Sequence, residues 1–172
     1  MPDGVQGVLP LSLFAEFLIR LDIPGKRLEF LLYPPGEAAE EGALKAFSSN
    51  HLLFVRGRVD ETCEGYFLLD TGASYTAISR NTARQLKMAE GLAPRISLLS
   101  GTAALDAPLV APAVRLRVGK TEFATGPVVA IDLSTASRYH GFEVAGLIGY
   151  PPLAHSVPTV SYRDSLVLIG RR

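Results

Sequence analysis

Within the 172 residues, the segment Gly65-Tyr66-Phe67-Leu68-Leu69-Asp70-Thr71-Gly72-Ala73-Ser74 holds the arrangement best suited to chemistry. An apolar run delivers one carboxylate, Asp70, into a Thr-Gly turn. A strand ending there fixes that carboxylate at the surface of the core. Gly72 lets the backbone turn tightly and pass close to its neighbours. The Thr71 hydroxyl is placed to bond backbone and lock the loop, and N–H groups of the turn can orient the carboxylate. The other reactive side chains lack such a setting. His51, His140 (read in a loop) and His155 have no helical or hairpin ligand spacing, so they read as solvated or core-satisfied histidines. Cys63 is the single cysteine. It falls at a predicted hairpin turn between Val59 and Gly65 and reads as an inert thiol, with no partner for an intrachain disulfide. Ser74 has no histidine base set beside it. Arg80, Arg84 and Lys87 read as a wet helix face, and no Gly-rich phosphate loop is present. Neither a metal nor a cofactor is expected.

Holding Asp70 in place requires a core, and the composition supplies one. Apolar residues make up 48% and charged residues 20%, which excludes disorder as the general state. Seventeen Lys and Arg balance seventeen Asp and Glu, so neither a nucleic-acid binder nor a polybasic membrane anchor is expected. No apolar run reaches the ~18 residues of a membrane span. The start, Met1-Pro2-Asp3-Gly4, lacks the basic and apolar regions of a signal peptide. Gly (16) and Pro (12) punctuate short runs rich in Val, Leu, Ile, Phe and Tyr, the pattern of an all-β domain with short helices. Strands are expected over 19–23, 27–32, 52–59, 65–69, 77–79, 96–99, 113–118, 128–132, 157–162 and 165–169. Val114, Leu116 and Val118 alternate with Arg115 and Arg117, as in a half-buried strand, and Gly119-Lys120 turns the chain into a return strand over 121–123. Ser79 or Asn81 caps a short helix through Leu86, and Ser12 caps another over Leu13–Leu18. The Ala/Glu-rich stretch 36–47 reads as a linker holding a helical turn or two.

The run Leu68-Leu69-Asp70-Thr71-Gly72-Ala73-Ser74 resembles the signature of the aspartic peptidases, and more narrowly of the single-lobed retropepsin-like family. Leu147-Ile148-Gly149 is similar to that family's second landmark, an apolar-apolar-Gly triplet threading beneath the catalytic loop. The resemblance covers about residues 50–170 and implies an acid-protease β-barrel lobe. It implies that Asp70 is catalytic, that Thr71, Gly72, Ala73 and Ser74 support its loop, and that Leu147, Ile148 and Gly149 pass below. The implied activity is that of an endopeptidase acting on a polypeptide through two facing carboxylates. These share one proton, because two like charges so close cannot both ionise. One activates a water; the other polarises the scissile carbonyl and then protonates the amine. The chain holds one Asp-Thr-Gly and no Asp-Ser-Gly; Asp3, Asp22, Asp60, Asp106, Asp132 and Asp164 stand in other contexts. The second Asp must therefore come from a homodimer or from an upstream tandem copy. The resemblance also implies a flap, for which the hairpin 96–105 is the candidate, with Leu99, Ser100, Gly101 and Thr102 as its substrate-binding residues and the tip near Ser100, Gly101 and Thr102. Tyr150-Pro151-Pro152 departs from the family, since two prolines shorten or abolish the helix expected after the triplet. Two other functions compete: a non-catalytic relative that binds a peptide or partner, and a small β module in which Asp-Thr-Gly is only a turn.

The chain also echoes itself. Gly4, Gly7, Pro10 and Leu11 match Gly146, Gly149, Pro152 and Leu153 at an offset of 142; four residues are then missing, and Leu28 falls on Leu166. The organisation expected is a closing half of a preceding copy, or a docking β-arm, over 1–33, a linker over 34–50, and the peptidase-like domain over 51–170. Residues 3–32 carry too much apolar surface to stay wet at ~25 cal/mol per Å². They are expected to dock as a helix and hairpin superposable on residues 150–169.

Overall fold

The computed structural model describes residues 6–7, 9–36, 41–90, 96–98, 101–103, 109–111 and 113–171. A single turn of 3-10 helix, Leu11–Phe14, leads into the hairpin β1 (Leu18–Asp22) and β2 (Arg27–Leu31). Strands β3 (Leu44–Ser49), β4 (Leu52–Val59), β5 (Cys63–Leu69) and β6 (Thr76–Ser79) follow, then helix α1 (Arg80–Gln85) and strand β7 (Ala89–Glu90). The middle of the chain forms β8 (Ile96–Leu98), β9 (Gly101–Ala103), β10 (Leu109–Ala111), β11 (Arg115–Val118), β12 (Thr121–Ala124) and β13 (Val128–Ile131). It closes with α2 (Ser134–His140), β14 (Val144–Ile148), α3 (Tyr150–Leu153), β15 (Ser156–Ser161) and β16 (Leu166–Arg171).

The sheet runs β2-β1-β15-β16-β3-β4-β5-β14-β6-β13-β10-β7, with the β11–β12 hairpin attached to β4 and the β8–β9 hairpin forming a sheet of its own. The all-β class is as expected. The barrel is not: among the described residues the pairings form an open path that does not close on itself. The chemistry of the strands explains their places. β11 alternates exposed Arg with buried Leu116 and Val118, so one face is wet and the other joins the core. β6 is buried along its whole length, because it lies between β14 and β13 and has no free edge. Phe54, Phe67, Ile19, Ile78, Leu116, Ile148 and Leu153 are the largest fully buried side chains among the described residues, each contributing about 1.5–3 kcal/mol through burial. Ser79 caps α1 by accepting the Thr82 N–H at 3.0 Å. Among the described residues no helix is long and apolar enough to cross a membrane.

Several elements differ from expectation. The helix expected over 13–18 is only the 3-10 turn, with no side-chain cap. Ser12 Oγ instead bonds His51 Nδ1 at 2.9 Å, and Leu18 pairs with Leu31 in the β1–β2 ladder. Of the stretch read as a linker, residues 44–47 lie in β3, paired with both β4 and β16; the tertiary partners override the helical propensity of Leu44, Lys45 and Ala46. Cys63 is not in a turn but opens β5, buried, with Sγ 3.2 Å from Gln85 Oε1. Asp60 and Glu61 make the turn tighter than expected by adopting positive φ of 45° and 61°. His140 is not in a loop but ends α2.

Candidate active site

Asp70 follows the last residue of β5, half-buried, at the mouth of a tight turn. The turn is made from its own atoms: the Ala73 N–H donates to the Asp70 carbonyl at 3.2 Å, and the Gly72 N–H donates to Asp70 Oδ1 at 3.0 Å. The second bond aims the carboxylate. A Cβ on residue 72 would lie 3.3 Å from that oxygen, so glycine lets the N–H come close without crowding.

The support beneath the turn is β14. It runs parallel to β5, with Leu147 opposite Leu68 and Ile148 opposite Leu69, and antiparallel to β6, with Leu147 opposite Ala77. The Asp70 N–H donates to the Ile148 carbonyl at 3.0 Å, and the Tyr150 N–H to the Ala73 carbonyl at 2.8 Å. Gly149 lies between these two bonds. Its φ of −80° is open to any residue, so contact is what requires glycine here. A Cβ would stand 2.2 Å from the Tyr75 carbonyl oxygen and 2.9 Å from that of Ala73.

Thr71 does not lock the loop. It is exposed, and its hydroxyl makes no hydrogen bond among the described residues. The lock is Thr76, which sequence reasoning missed: its buried Oγ1 accepts the Gly149 N–H at 3.3 Å. Thr76→Val keeps the shape and removes the acceptor. It is expected to cost about 1–3 kcal/mol, measured by denaturant titration, and to speed amide exchange at Gly149.

Asp70 and Thr71 line a groove of about 230 Å³ whose other walls are mostly apolar, among them Leu9, Leu11, Leu52, Leu68 and Val160, with His51 and Tyr162 as the polar exceptions. Of the residues proposed for the loop, Ala73 is half-buried and Ser74 exposed. Leu99 and Ser100 lie outside the described residues. The neighbouring backbone forms the hairpin expected, with Leu98 opposite Gly101 and Ser97 opposite Thr102. Gly101 and Thr102 therefore belong to the return strand rather than to the tip. α3 is a single turn with Pro at its start, as two prolines allow at a helix N-terminus. A larger depression of about 400 Å³, lined by Lys45, Arg56, Arg58 and Arg117, includes none of these residues. Its arginines pair with Glu61, Glu64 and Glu122.

The start of β14 is anchored by α2, which the sequence reading missed. Ser137 Oγ accepts the Val144 N–H at 3.0 Å and donates to the Leu133 carbonyl at 2.9 Å. Asp132, one residue before the cap position Leu133, accepts the Ser134 N–H on Oδ1 at 2.9 Å. Hydrogen bonds from the Ser134 side chain and then its backbone hold the Asp132 carboxyl below the usual carboxylate range. A depressed carboxylate contributes fully above its unfolded pKa of about 3.9 and loses that contribution as pH falls through the lower folded value. The Ser134 amide resonance is therefore expected to move in that acid window, and not to move in Asp132→Asn.

The histidines do not converge on Asp70. His140 Nδ1 bonds Ser49 Oγ at 2.9 Å and its ring packs on Phe54. His51 lines the groove and holds Ser12, and His155 is exposed. Among the described residues no three His, Cys, Asp or Glu side chains gather as metal ligands would.

A solved retropepsin-like aspartic protease from Rickettsia conorii is similar at 20% identity, covering 74% of this chain and 89% of that one with a TM-score of 0.44. Among curated proteins none matches. The family model described as "Aspartyl protease" matches residues 55–151, more than half of the sequence and the whole of the Asp70 loop with its β14 support, and the chain belongs to that family.

Proposed function

We propose that the protein is the Asp70-bearing part of an aspartic-type endopeptidase that hydrolyses polypeptides through an Asp dyad and an activated water. The observation that carries this reading is the aimed carboxylate: Oδ1 of Asp70 held by the Gly72 N–H at 3.0 Å, on a turn braced by Ile148 and Gly149. In this mechanism the ionised member of the dyad takes a proton from water as it attacks the scissile carbonyl. The protonated member donates to the carbonyl oxygen, and the amine leaves with a proton. The catalytic residue in this chain is Asp70. Thr71, Gly72, Ala73 and Ser74 shape its loop, and Leu147, Ile148 and Gly149 support it. The hairpin carrying Leu99, Ser100, Gly101 and Thr102 is the flap over an extended substrate, with no cofactor required. The single Asp-Thr-Gly favours one second reading, in which the chain on its own binds a peptide or partner without cutting it.

A peptide library assayed across acidic and neutral pH tests the reading. It is run with the chain alone and with a fusion that adds a second copy of residues 34–149, with a pepstatin-type inhibitor as control. Inhibitor-sensitive hydrolysis in either form supports the peptidase. Binding of library peptides without hydrolysis in both forms supports the second reading instead.

A further inference from the structure

The two ends of the described chain repeat each other at one constant offset, 139 residues. The helical turns Leu11–Phe14 and Tyr150–Leu153 both end on alanine, with Ala15 N–H bonded to the Ser12 carbonyl and Ala154 N–H to that of Pro151. The hairpins follow in the same register: Leu18 faces Leu31 as Val157 faces Gly170, and Asp22 faces Arg27 as Ser161 faces Leu166. Even the turns agree. Asp22 accepts the Gly25 N–H as Ser161 Oγ accepts that of Asp164, and Lys26 and Ser165 carry φ of 52° and 54°. The sequence echo was thus displaced, since the structure sets Leu28 on Val167 rather than on Leu166.

β1 and β15 then pair antiparallel with Arg20 opposite Thr159, its own counterpart. A position facing its own counterpart is the mark of a two-fold interface. Residues 11–31 therefore occupy, within one chain, the seat of a second lobe's closing segment. Tyr33 reinforces the docking, as its hydroxyl accepts the Arg163 N–H and its ring lies 4.2 Å under the Arg163 guanidinium.

The halves differ in what covers them. Val167 and Ile169 are 0% and 7% exposed, because the outer edge of β16 takes β3 and its side chains join the core. Their counterparts Leu28 and Phe30 are 47% and 42% exposed. Phe30 touches only a partial cover that includes the rings of Phe14 and Phe17, and among the described residues no strand pairs with the outer edge of β2.

We infer that the free edge and apolar face of β2 are the docking surface for a second lobe of this same fold. That lobe lacks its own closing helix and hairpin and takes residues 11–31 in their place. An intact second copy does not fit: its β3 already holds its own β16, and β15 of this chain already holds β1. The placement rests on the register and burial above; it rests on the peptidase reading only in that the docked lobe brings the second Asp. Joined in one polypeptide, such a lobe precedes Leu11, with its Asp-Thr-Gly about 80 residues before it, as Asp70 lies 80 residues before Tyr150.

The test labels Leu28→Cys with a maleimide, in the whole chain alone and with a copy of residues 34–149 joined to its N-terminus through a flexible linker. Buried Cys63 is the internal standard. Labelling of the fusion is expected to slow about tenfold or more, as local opening becomes necessary. Unchanged labelling overturns the inference, including the case where the added lobe fails to fold, because residues 11–31 should complete it. The chain as it exists gives a second measurement: Thr159→Cys treated with a short thiol cross-linker is expected to stay monomeric. A covalent dimer would show β15 open to a second copy and overturn the inference. Slowed labelling in a fusion that cuts no peptide leaves it standing and counts against the peptidase.

Discussion

Replacing Asp70 with Asn is expected to lower peptide hydrolysis by roughly three to six orders of magnitude in whichever form cuts peptide, with the fold intact. The two halves of this expectation come from different atoms. The Asn side-chain oxygen can still accept the Gly72 N–H, which in the native turn lies 3.0 Å from Oδ1, and the backbone bonds to Ile148 and Ala73 do not involve the side chain. The residue is half-buried and joins no ion pair among the described residues, so thermal stability should move by less than about 1 kcal/mol, the range of substitutions away from a packed core. An amide can neither take a proton from water at neutral pH nor share one with a second carboxylate, so the chemistry is lost. Asp70→Ala separates the roles, because it also removes the acceptor for Gly72 and should loosen the turn. Steady-state kinetics and melting curves on the three proteins check this, and full hydrolysis by Asp70→Asn would remove Asp70 from the mechanism.

Gly149→Ala is expected to be the most damaging single methyl group in the domain. The added carbon would meet the Tyr75 carbonyl oxygen at 2.2 Å and its carbon at 2.5 Å, atoms of a backbone that cannot rotate away as a flexible side chain would. Relief requires β14 and the 73–75 backbone to separate. That motion breaks the Tyr150-to-Ala73 bond and the Gly149-to-Thr76 bond together. A cost of about 4 kcal/mol or more follows, the scale reached only when a core or a buried network fails. Against a typical domain stability of about 5–15 kcal/mol, much of the protein should be unfolded or aggregated at 37 °C. Circular dichroism and soluble yield check this. A folded Gly149→Ala protein with native stability would mean that the passage beneath the turn is wider than the structure shows.

The sequence was most readable where local chemistry and tertiary context agreed. β4, β5 and β11 follow from apolar runs or strict alternation, and the Asp-Thr-Gly turn follows from its own residue types. The passage of Leu147-Ile148-Gly149 beside that turn could be expected only through the family resemblance, since nothing local in either segment names the other. The failures have physical causes. β3 begins with the helix formers Leu44, Lys45 and Ala46 and becomes a strand because β4 and β16 lie on both sides of it. α2 has a polar, serine-rich sequence with little apolar periodicity; its signals were Asp132 two residues before Ser134 and Gly141 at φ 77° after it. Thr71 and Thr76 are chemically alike, and only the three-dimensional path of β14 shows which hydroxyl meets Gly149.

The parallel pairing of β5 with β14 also sets an order of events in folding. It joins Tyr66 to Val144 and Leu69 to Ile148, nearly 80 residues apart, whereas the β4–β5 hairpin closes over a three-residue turn. Contacts so distant in sequence form late, because the loop between them must be ordered before they reward it. On a ribosome the Asp-Thr-Gly emerges long before the strand that braces it. Until Tyr150 has followed, the Asp70 backbone N–H and the Ala73 carbonyl have no partners. A nascent chain therefore carries the signature on an unbraced turn, and chain elongation itself delays assembly of the site until most of the domain has been made.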